Sequence, residues 1–358
     1  GGFFGLFSGI VLLGSSFFKT PLSKILSFAA IWTIMEWIRS FILTGFPWNL
    51  LGTVWGFSDT MIQTAALYGT YGLSLITLII SGAPLLWLKA PSYKTLKQSL
   101  ILIIIPLVGL ILYGEYRLSQ TENTSGLEKI RIVQPSIPQD LKWNDEKLEQ
   151  NFQTYLALSQ SPGIKDISLI IWGETASPYP LSYMEDKRRA IAAILPPQTQ
   201  LMTGSIDYAL KDGRLRPKNS MFTIDHKGHI VAEYTKSHLV PFGEYIPFRN
   251  ILPKQIKPVT NVISDFIPGG GPQTKQILNG LKVGISICYE IIFPHQILDK
   301  KHKPEVVINL TNDGWYGNTS GPYQHFISTK MRAVEEGVTL IRAANSGISA
   351  VFNAYGQM

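Results

Sequence analysis

Cys288 is the only cysteine among 358 residues, and it closes the run Leu281-Lys282-Val283-Gly284-Ile285-Ser286-Ile287-Cys288-Tyr289-Glu290. Val283, Ile285 and Ile287 alternate with small residues, the period-two pattern of a strand with one apolar face, so the strand delivers a thiol at its end. Glu290 and Pro294 mark the turn that follows. An isolated cysteine is more often a small buried hydrophobe than a nucleophile, so its meaning rests on its company. Glu174 follows the apolar run Ile170-Ile171-Trp172, and Lys236 follows the strand that ends at Tyr234-Thr235. A carboxylate in apolar surroundings can act as base toward a thiol. A fixed ammonium, with a backbone N–H, can hold the oxyanion of acyl transfer. Three strands of one sheet would bring the acid, the ammonium and the thiol together for covalent acyl chemistry.

The elements that must position them begin near Leu127. Lys129–Gln134 alternates as a strand, Asp140–Gln160 reads as one amphipathic helix, and Ile167–Trp172 is a strand covered on both faces. A helix over Tyr183–Leu195 precedes strands at Gln200–Tyr208, Ser220–Asp225 and His229–Tyr234, and Pro253–Gly271 is read as a loop. After the Cys288 strand come a strand at Glu305–Leu310, a helix at Tyr323–Glu336, and strands at Val338–Ala344 and Ile348–Asn353. Strands alternating with helices, some paired as hairpins, indicate a mixed α/β layer fold without internal repeats.

The first part is different in kind. Charges concentrate after Glu115, while residues 1–113 are dominated by Ile, Leu, Phe, Gly and Trp. Four apolar stretches, Gly2–Phe18, Ile25–Leu43, Thr64–Leu88 and Ser99–Tyr113, are read as membrane helices. Residues 114–126 form a linker and 127–358 a catalytic domain. Recurring apolar segments argue against a signal peptide, and four stretches almost free of charge argue against buried helices of a soluble protein. Lys19 and Lys24 lie between the first two spans and Lys89, Lys94 and Lys97 between the last two, whereas Thr44–Gln63 holds no Lys or Arg. The positive-inside rule then puts both lysine loops in the cytoplasm and everything from residue 115 on the opposite side. Glu36 and Arg39 are expected to pair on one helical face, and the aromatic segment Gly45–Gly52 suits the membrane interface.

The six histidines lack the spacing of a metal cluster, and Gly269-Gly270-Gly271 opens no helix as a phosphate loop would. No metal, cofactor or nucleic acid is expected. The net charge of +7 is that of a solvated basic surface that can also sit near anionic lipid.

The domain resembles the carbon–nitrogen hydrolase, or nitrilase, superfamily, whose Glu-Lys-Cys triad appears in this order. The first half narrows the likeness to the apolipoprotein N-acyltransferase family. The matching stretches are Glu36-Trp37-Ile38-Arg39, Thr44-Gly45-Phe46-Pro47-Trp48-Asn49, Trp172-Gly173-Glu174-Thr175-Ala176 and Lys236 through Tyr245. Cys288-Tyr289-Glu290, Asn312 through Gly317 and Arg342 through Gly347 complete them. The resemblance implies a multi-span helical membrane region carrying a nitrilase-like αββα sandwich. It also implies Glu174 as general base, Lys236 as oxyanion cation, Cys288 as nucleophile, and Glu244, Tyr289 and Glu290 in support. Trp48 and Trp315, with Trp55, would offer acyl chains a greasy route. Ping-pong transfer would follow, from a phospholipid such as phosphatidylethanolamine to the α-amine of a diacylated apolipoprotein, at a bacterial inner membrane with the domain on the periplasmic side. Gly173 stands where the family commonly has Pro. Family members carry further helices before residue 1 and after the domain, so the chain reads as cut at both ends, its last strands missing. Two rivals are a membrane-tethered amidase or nitrilase, in which water takes the acyl group, and a catalytically idle scaffold or transport component.

Overall fold

The computed structural model describes residues 2–120, 129–211, 213–249, 251 and 264–358. The first helices are α1 (Gly2–Ser16), α2 (Pro21–Arg39), α3 (Asp59–Ile62), α4 (Ala65–Gly82), α5 (Pro84–Lys89) and α6 (Tyr93–Leu118). Two segments, Ala65–Lys89 and Tyr93–Leu118, are long and apolar enough to cross a bilayer. Of the other two expected spans, α1 has 15 residues and α2 carries Lys24, Glu36 and Arg39 within 19. The helix α6 runs past Tyr113, so Gly114–Leu118, expected to open the linker, form its last turn. Residues 121–126 of that linker lie outside the described residues.

Glu36 and Arg39, expected to pair, instead each serve the aromatic segment, and Glu36 Oε2 and Arg39 Nε have no hydrogen-bond partner among the described residues. Glu36 Oε1 accepts from the Leu51 amide at 3.0 Å, and Arg39 donates to the Trp48 carbonyl at 3.2 Å. A buried carboxylate and a half-buried guanidinium thereby take up backbone groups of a segment that forms no regular ladder.

The domain is built on two five-stranded sheets. The first holds β1 (Ile130–Val133), β2 (Leu169–Trp172), β3 (Gln200–Lys211), β4 (Arg214–Ile224) and β5 (Ile230–Thr235), in that order. The second holds β6 (Thr274–Gln276), β7 (Lys282–Ile287), β8 (Val306–Thr311), β9 (Thr339–Ala344) and β10 (Ala350–Phe352), again in order. In each sheet the three strands nearest the site, β1 to β3 and β7 to β9, are parallel. Alternate residues of the two sheets meet face to face, with Leu169, Ile171, Met202 and Met221 packed against Val283, Ile285, Ile308 and Leu310. Four further helices flank the sheets: α7 (Gln139–Lys142), α8 (Leu148–Ser159), α9 (Glu185–Ala192) and α10 (Gly321–Glu336). Phe152, Tyr155 and Leu156 of α8 and Ile191 of α9 cover Ile170, Trp172 and Phe222 on the first sheet's outer face. Ala333 and Phe326 of α10 cover Val307, Leu340 and Phe352 on the second. These are the four layers of an αββα sandwich.

Several expectations are corrected. Asp140–Gln160 is not one helix: it breaks between Lys142 and Leu148, where the Asn144 side chain and carbonyl accept from Glu146 and Lys147, the local bonding by which Asn competes with helix. The hairpin strand β4 starts at Arg214, well before Ser220, because the long ladder with β3 overrides a basic, Pro-containing sequence. Most of the Pro253–Gly271 loop lies outside the described residues.

The helix α10 joins the sandwich to the apolar helices. Its opposite face packs Met331 and Val334 against Met61, Ile62, Leu73 and Leu110. Inside α4, Gly69 adopts φ +68° and breaks the helix, and a Cβ there would stand 2.7 Å from His295 Nε2. The helix restarts at Thr70, whose amide and hydroxyl both donate to Glu335. Arg332 pairs with Glu335 at 2.8 Å and donates to the Thr70 hydroxyl at 2.8 Å. Buried charges are tolerated only when paired, so removing one partner is costly. Glu335→Ala should lower stability by about 3–5 kcal/mol, read as a fall in the melting temperature of the detergent-solubilised protein. Asp166→Ala, which removes the partner of exposed Lys129, should change it by less than about 1 kcal/mol. Equal effects would contradict this account of the junction.

Candidate active site

The three expected residues do converge, but from two sheets rather than one. Glu174 leaves the end of β2 and Lys236 the end of β5, both in the first sheet, while Cys288 leaves the end of β7 in the second. Face-to-face packing puts these strand ends side by side. Two parallel ladders pass the chain out at the same end, where ligands usually bind in α/β sheets.

The Glu174 turn is made possible by close backbone approach. The Glu174 amide donates to the Thr311 carbonyl of the second sheet at 3.3 Å, and Thr175 has φ +45°. A Cβ on Gly204 of β3 would lie 2.4 Å from the Thr175 amide nitrogen, so only glycine lets the turn pass.

Lys236 is 1% exposed and lies between two carboxylates. Its Nζ is 3.4 Å from Glu174 Oε1 and 3.0 Å from Glu244 Oε2. Asn219, from β4, donates to both Glu174 Oε1 and Glu244 Oε1 at 2.9 Å. Burial opposes the Lys236 charge, but Glu244 and then Glu174 outweigh it and hold the ammonium well above its ordinary range. The second carboxylate oxygen, Glu174 Oε2, is buried without a hydrogen-bond partner. That orphan oxygen is the one free to take a proton.

Cys288 is buried and has φ +49°, a left-handed conformation that costs a non-glycine residue about 1–3 kcal/mol. Burial first, then the Glu174 carboxylate, push its thiol up to about 12, against the Lys236 ammonium and a hydrogen bond from Thr311. The resting group is therefore a thiol, which can act as a nucleophile only if a base takes its proton. Glu290 staples this turn to the Lys236 loop. One carboxylate oxygen accepts from the Ile287 amide at 2.7 Å. The other accepts from the Tyr234 hydroxyl at 2.8 Å and the Ser237 and His238 amides at 2.7 and 3.1 Å.

Tyr289 reaches the other way. Its hydroxyl donates to the Gly45 carbonyl at 2.9 Å, and its ring stacks with Phe46. Trp48 donates to Gln324 at 2.7 Å and lies against the rings of Tyr316 and His325. The aromatic segment of the helical half thus forms one wall beside the Cys288 turn. Trp315 stands half-exposed on the turn Asp313–Tyr316.

Lys142 and His325 carried no sequence signal of their own, whereas Asp313 and Arg342 lie in the matched stretches Asn312 through Gly317 and Arg342 through Gly347. Lys142, buried at the end of α7, donates to the Glu174 carbonyl at 2.9 Å. Burial pulls its ammonium down to about 8, against the pull of Glu174 and Cys288. Asp313, His325 and Arg342 form a fully interior network: His325 Nδ1 is 2.8 Å and Arg342 Nη2 2.6 Å from the Asp313 carboxylate. Among the described residues there is no cluster of three His, Cys, Asp or Glu side chains able to hold a metal.

An acid, an ammonium and a thiol at the ends of two packed sheets are the groups that thiol-dependent acyl transfer needs. The sequence model described as "Carbon-nitrogen hydrolase" matches residues 129–358, and that of the "Apolipoprotein N-acyltransferase N-terminal domain" matches residues 1–83. The chain is 40% identical over 336 residues to the apolipoprotein N-acyltransferase of Rickettsia prowazekii, covering 93% of this chain and 66% of that protein. It is 38% identical to the one from Rhodopseudomonas palustris, covering 94% and 65%. With the one from Allorhizobium ampelinum it shares 37% over 364 residues, covering 99% and 68%. This chain belongs to the apolipoprotein N-acyltransferase family. It spans about two thirds of the length of these curated relatives. Among solved structures it is similar to an amidase from Nesterenkonia sp., at 18% identity and TM-score 0.43, covering 67% of this chain and 88% of that one.

Because the thiol is held up to about 12, its thiolate fraction should rise about tenfold per pH unit across pH 8–10. Alkylation of folded Cys288 by iodoacetamide should follow that slope, with no plateau near pH 8.5. Lys236→Met removes the stabilising cation and should slow alkylation throughout. A plateau near pH 8.5 would contradict the burial argument.

Proposed function

We propose that the chain carries the catalytic machinery of an N-acyltransferase. Its acyl donor is the sn-1 ester of a phospholipid such as phosphatidylethanolamine. Its acceptor is the α-amine of the diacylglyceryl-cysteine that begins an apolipoprotein.

In the first half-reaction Glu174 Oε2 takes the Cys288 proton as Sγ attacks the ester carbonyl. The tetrahedral oxyanion is held by the Lys236 ammonium and a backbone N–H. The ester C–O bond then breaks, Glu174 returns the proton to the departing alkoxide, and a lysophospholipid leaves a thioester behind. In the second half the neutral α-amine attacks the thioester and Glu174 takes its proton. The C–S bond breaks, the thiol is reprotonated, and the acyl chain leaves as an amide. Glu244 and Asn219 keep Lys236 and Glu174 in register, and Glu290 and Tyr289 hold the nucleophile's turn. Trp48 and Trp315 meet the acyl chain. No step requires a metal or cofactor.

The lipid half of this reading rests on one observation, the tie between the nucleophile's neighbour Tyr289 and the aromatic segment at Gly45 and Phe46. A soluble substrate needs no such wall; a bilayer lipid must enter from it. The exposed Leu, Ile and Phe side chains of α1, α2, α4, α5 and α6 suit four spans in lipid, two of them long and two short. With the lysine loops on the cytoplasmic side, the domain stands on the periplasmic face of a bacterial inner membrane.

The full-length protein incubated with phospholipid labelled in its sn-1 chain should gain an acyl group on Cys288, seen as a hydroxylamine-sensitive mass shift. Adding a diacylated lipopeptide should then yield a triacylated product. Free fatty acid in its place would favour the amidase-like reading, and no adduct on a folded protein would leave only a scaffold. Glu174→Gln should slow acylation by about 10²–10⁴-fold, and Cys288→Ser should abolish transfer.

A further inference from the structure

The interior histidine His325 touches neither the thiol nor its acid, yet it holds the nucleophile's own backbone. Its Nε2 lies 3.1 Å from the Cys288 carbonyl oxygen, and its ring is wholly buried. A carbonyl oxygen only accepts, so Nε2 carries the hydrogen of that bond. On the far side of the ring Asp313 Oδ1 stands 2.8 Å from Nδ1, and Asp313 Oδ2 is pinned by Arg342 at 2.6 Å. Arg342 is itself fixed by Asn309 at 2.8 Å and Thr329 at 3.1 Å. Burial first, then Arg342, hold the ring below its ordinary imidazole range, against the acceptors at its two nitrogens. In either state Nε2 keeps its proton, because Arg342 Nη2, 3.3 Å from Nδ1, can supply a hydrogen there and the Cys288 carbonyl cannot.

The Cys288 carbonyl and the Tyr289 N–H belong to one planar trans peptide and point in opposite directions. Gripping the oxygen therefore aims the N–H. At φ +49° the Cys288 backbone lies outside its preferred wells, so something must hold that peptide where it is.

We propose that His325 is a positioning residue whose hydrogen bond to the Cys288 carbonyl turns the Tyr289 N–H toward the acyl oxygen as it becomes an oxyanion. The proposal rests on the reading of Cys288 as an acyl-accepting nucleophile, and it adds the group that aims the backbone N–H working beside Lys236. It also gives the Asp313–Arg342 pair a purpose, since a histidine free to rotate could not fix a peptide plane.

Two reactions of Cys288 separate this role from a structural one. With p-nitrophenyl butyrate, Sγ attacks the ester carbonyl, the C–O bond breaks and p-nitrophenolate leaves, so an oxyanion forms on the way. With iodoacetamide, Sγ displaces iodide and no oxyanion forms. In the full-length protein His325→Ala should slow the p-nitrophenolate burst by about 10²–10³-fold and leave alkylation nearly unchanged. His325→Gln, whose amide N–H can reach the same carbonyl, should recover part of the burst, and it decides the matter if the alanine variant does not fold. A burst that survives both substitutions, or a parallel loss of burst and alkylation, overturns the positioning role. If the native protein is alkylated at Cys288 but gives no burst, the acyl-enzyme reading itself fails and the role with it.

Discussion

Everything at this site depends on the burial of one ammonium between two carboxylates. A lysine charge that is 1% exposed would be expelled or neutralised if left alone. Lys236 stays charged because Glu174 and Glu244 face it and Asn219 ties those two carboxylates together. The converse also holds, since two carboxylates this close require a cation between them. The strand ends of β2 and β5, the middle of β4 and the loop after Lys236 must therefore all be in place before the site exists. The network also divides the labour of Glu174. One oxygen is committed to Asn219 and Lys236, and the other is left without a partner, facing chemistry rather than structure.

A second dependence runs through α10. One helix presents His325 to the Cys288 turn, Ala333 and Phe326 to the second sheet, and Arg332 and Glu335 to the break in α4. The apolar helices and the sandwich are thus joined by buried charge and packing. The Gly45–Trp48 segment completes the junction from the other side, through Tyr289 and Gln324. Residues that prepare the thiol and residues that meet the apolar helices are neighbours on the same elements.

Much of this was legible in the residue pattern, and the exceptions share a cause. The period-two run before Cys288 and the apolar run before Glu174 mark their strands because burial on a sheet face selects alternate or continuous hydrophobes. Their position at strand ends was legible for the same reason. That the ends belong to two sheets was not, because face-to-face packing leaves no periodic trace. Asn219 was missed because it follows the basic stretch Arg214–Lys218 and precedes the strand expected from Ser220, and only the ladder with β3 brings it into β4. Lys142 falls in the stretch read as one amphipathic helix, His325 was one of six unclustered histidines, and Asp313 and Arg342 lay in matched stretches with nothing to show that they meet. Polar side chains become interior only through tertiary partners, and no local spacing announces those.

The most direct test of the shared ammonium is a double-mutant cycle on Lys236 and Glu244, read by thermal unfolding of the full-length protein. Lys236→Met alone strands two buried carboxylates, and Glu244→Gln alone removes one of two anions from the ammonium. If the network is as described, the double variant is more stable than Lys236→Met alone, with a coupling of at least about 1 kcal/mol, in the range found for residues of one charge network. Additive effects of the two substitutions would contradict it.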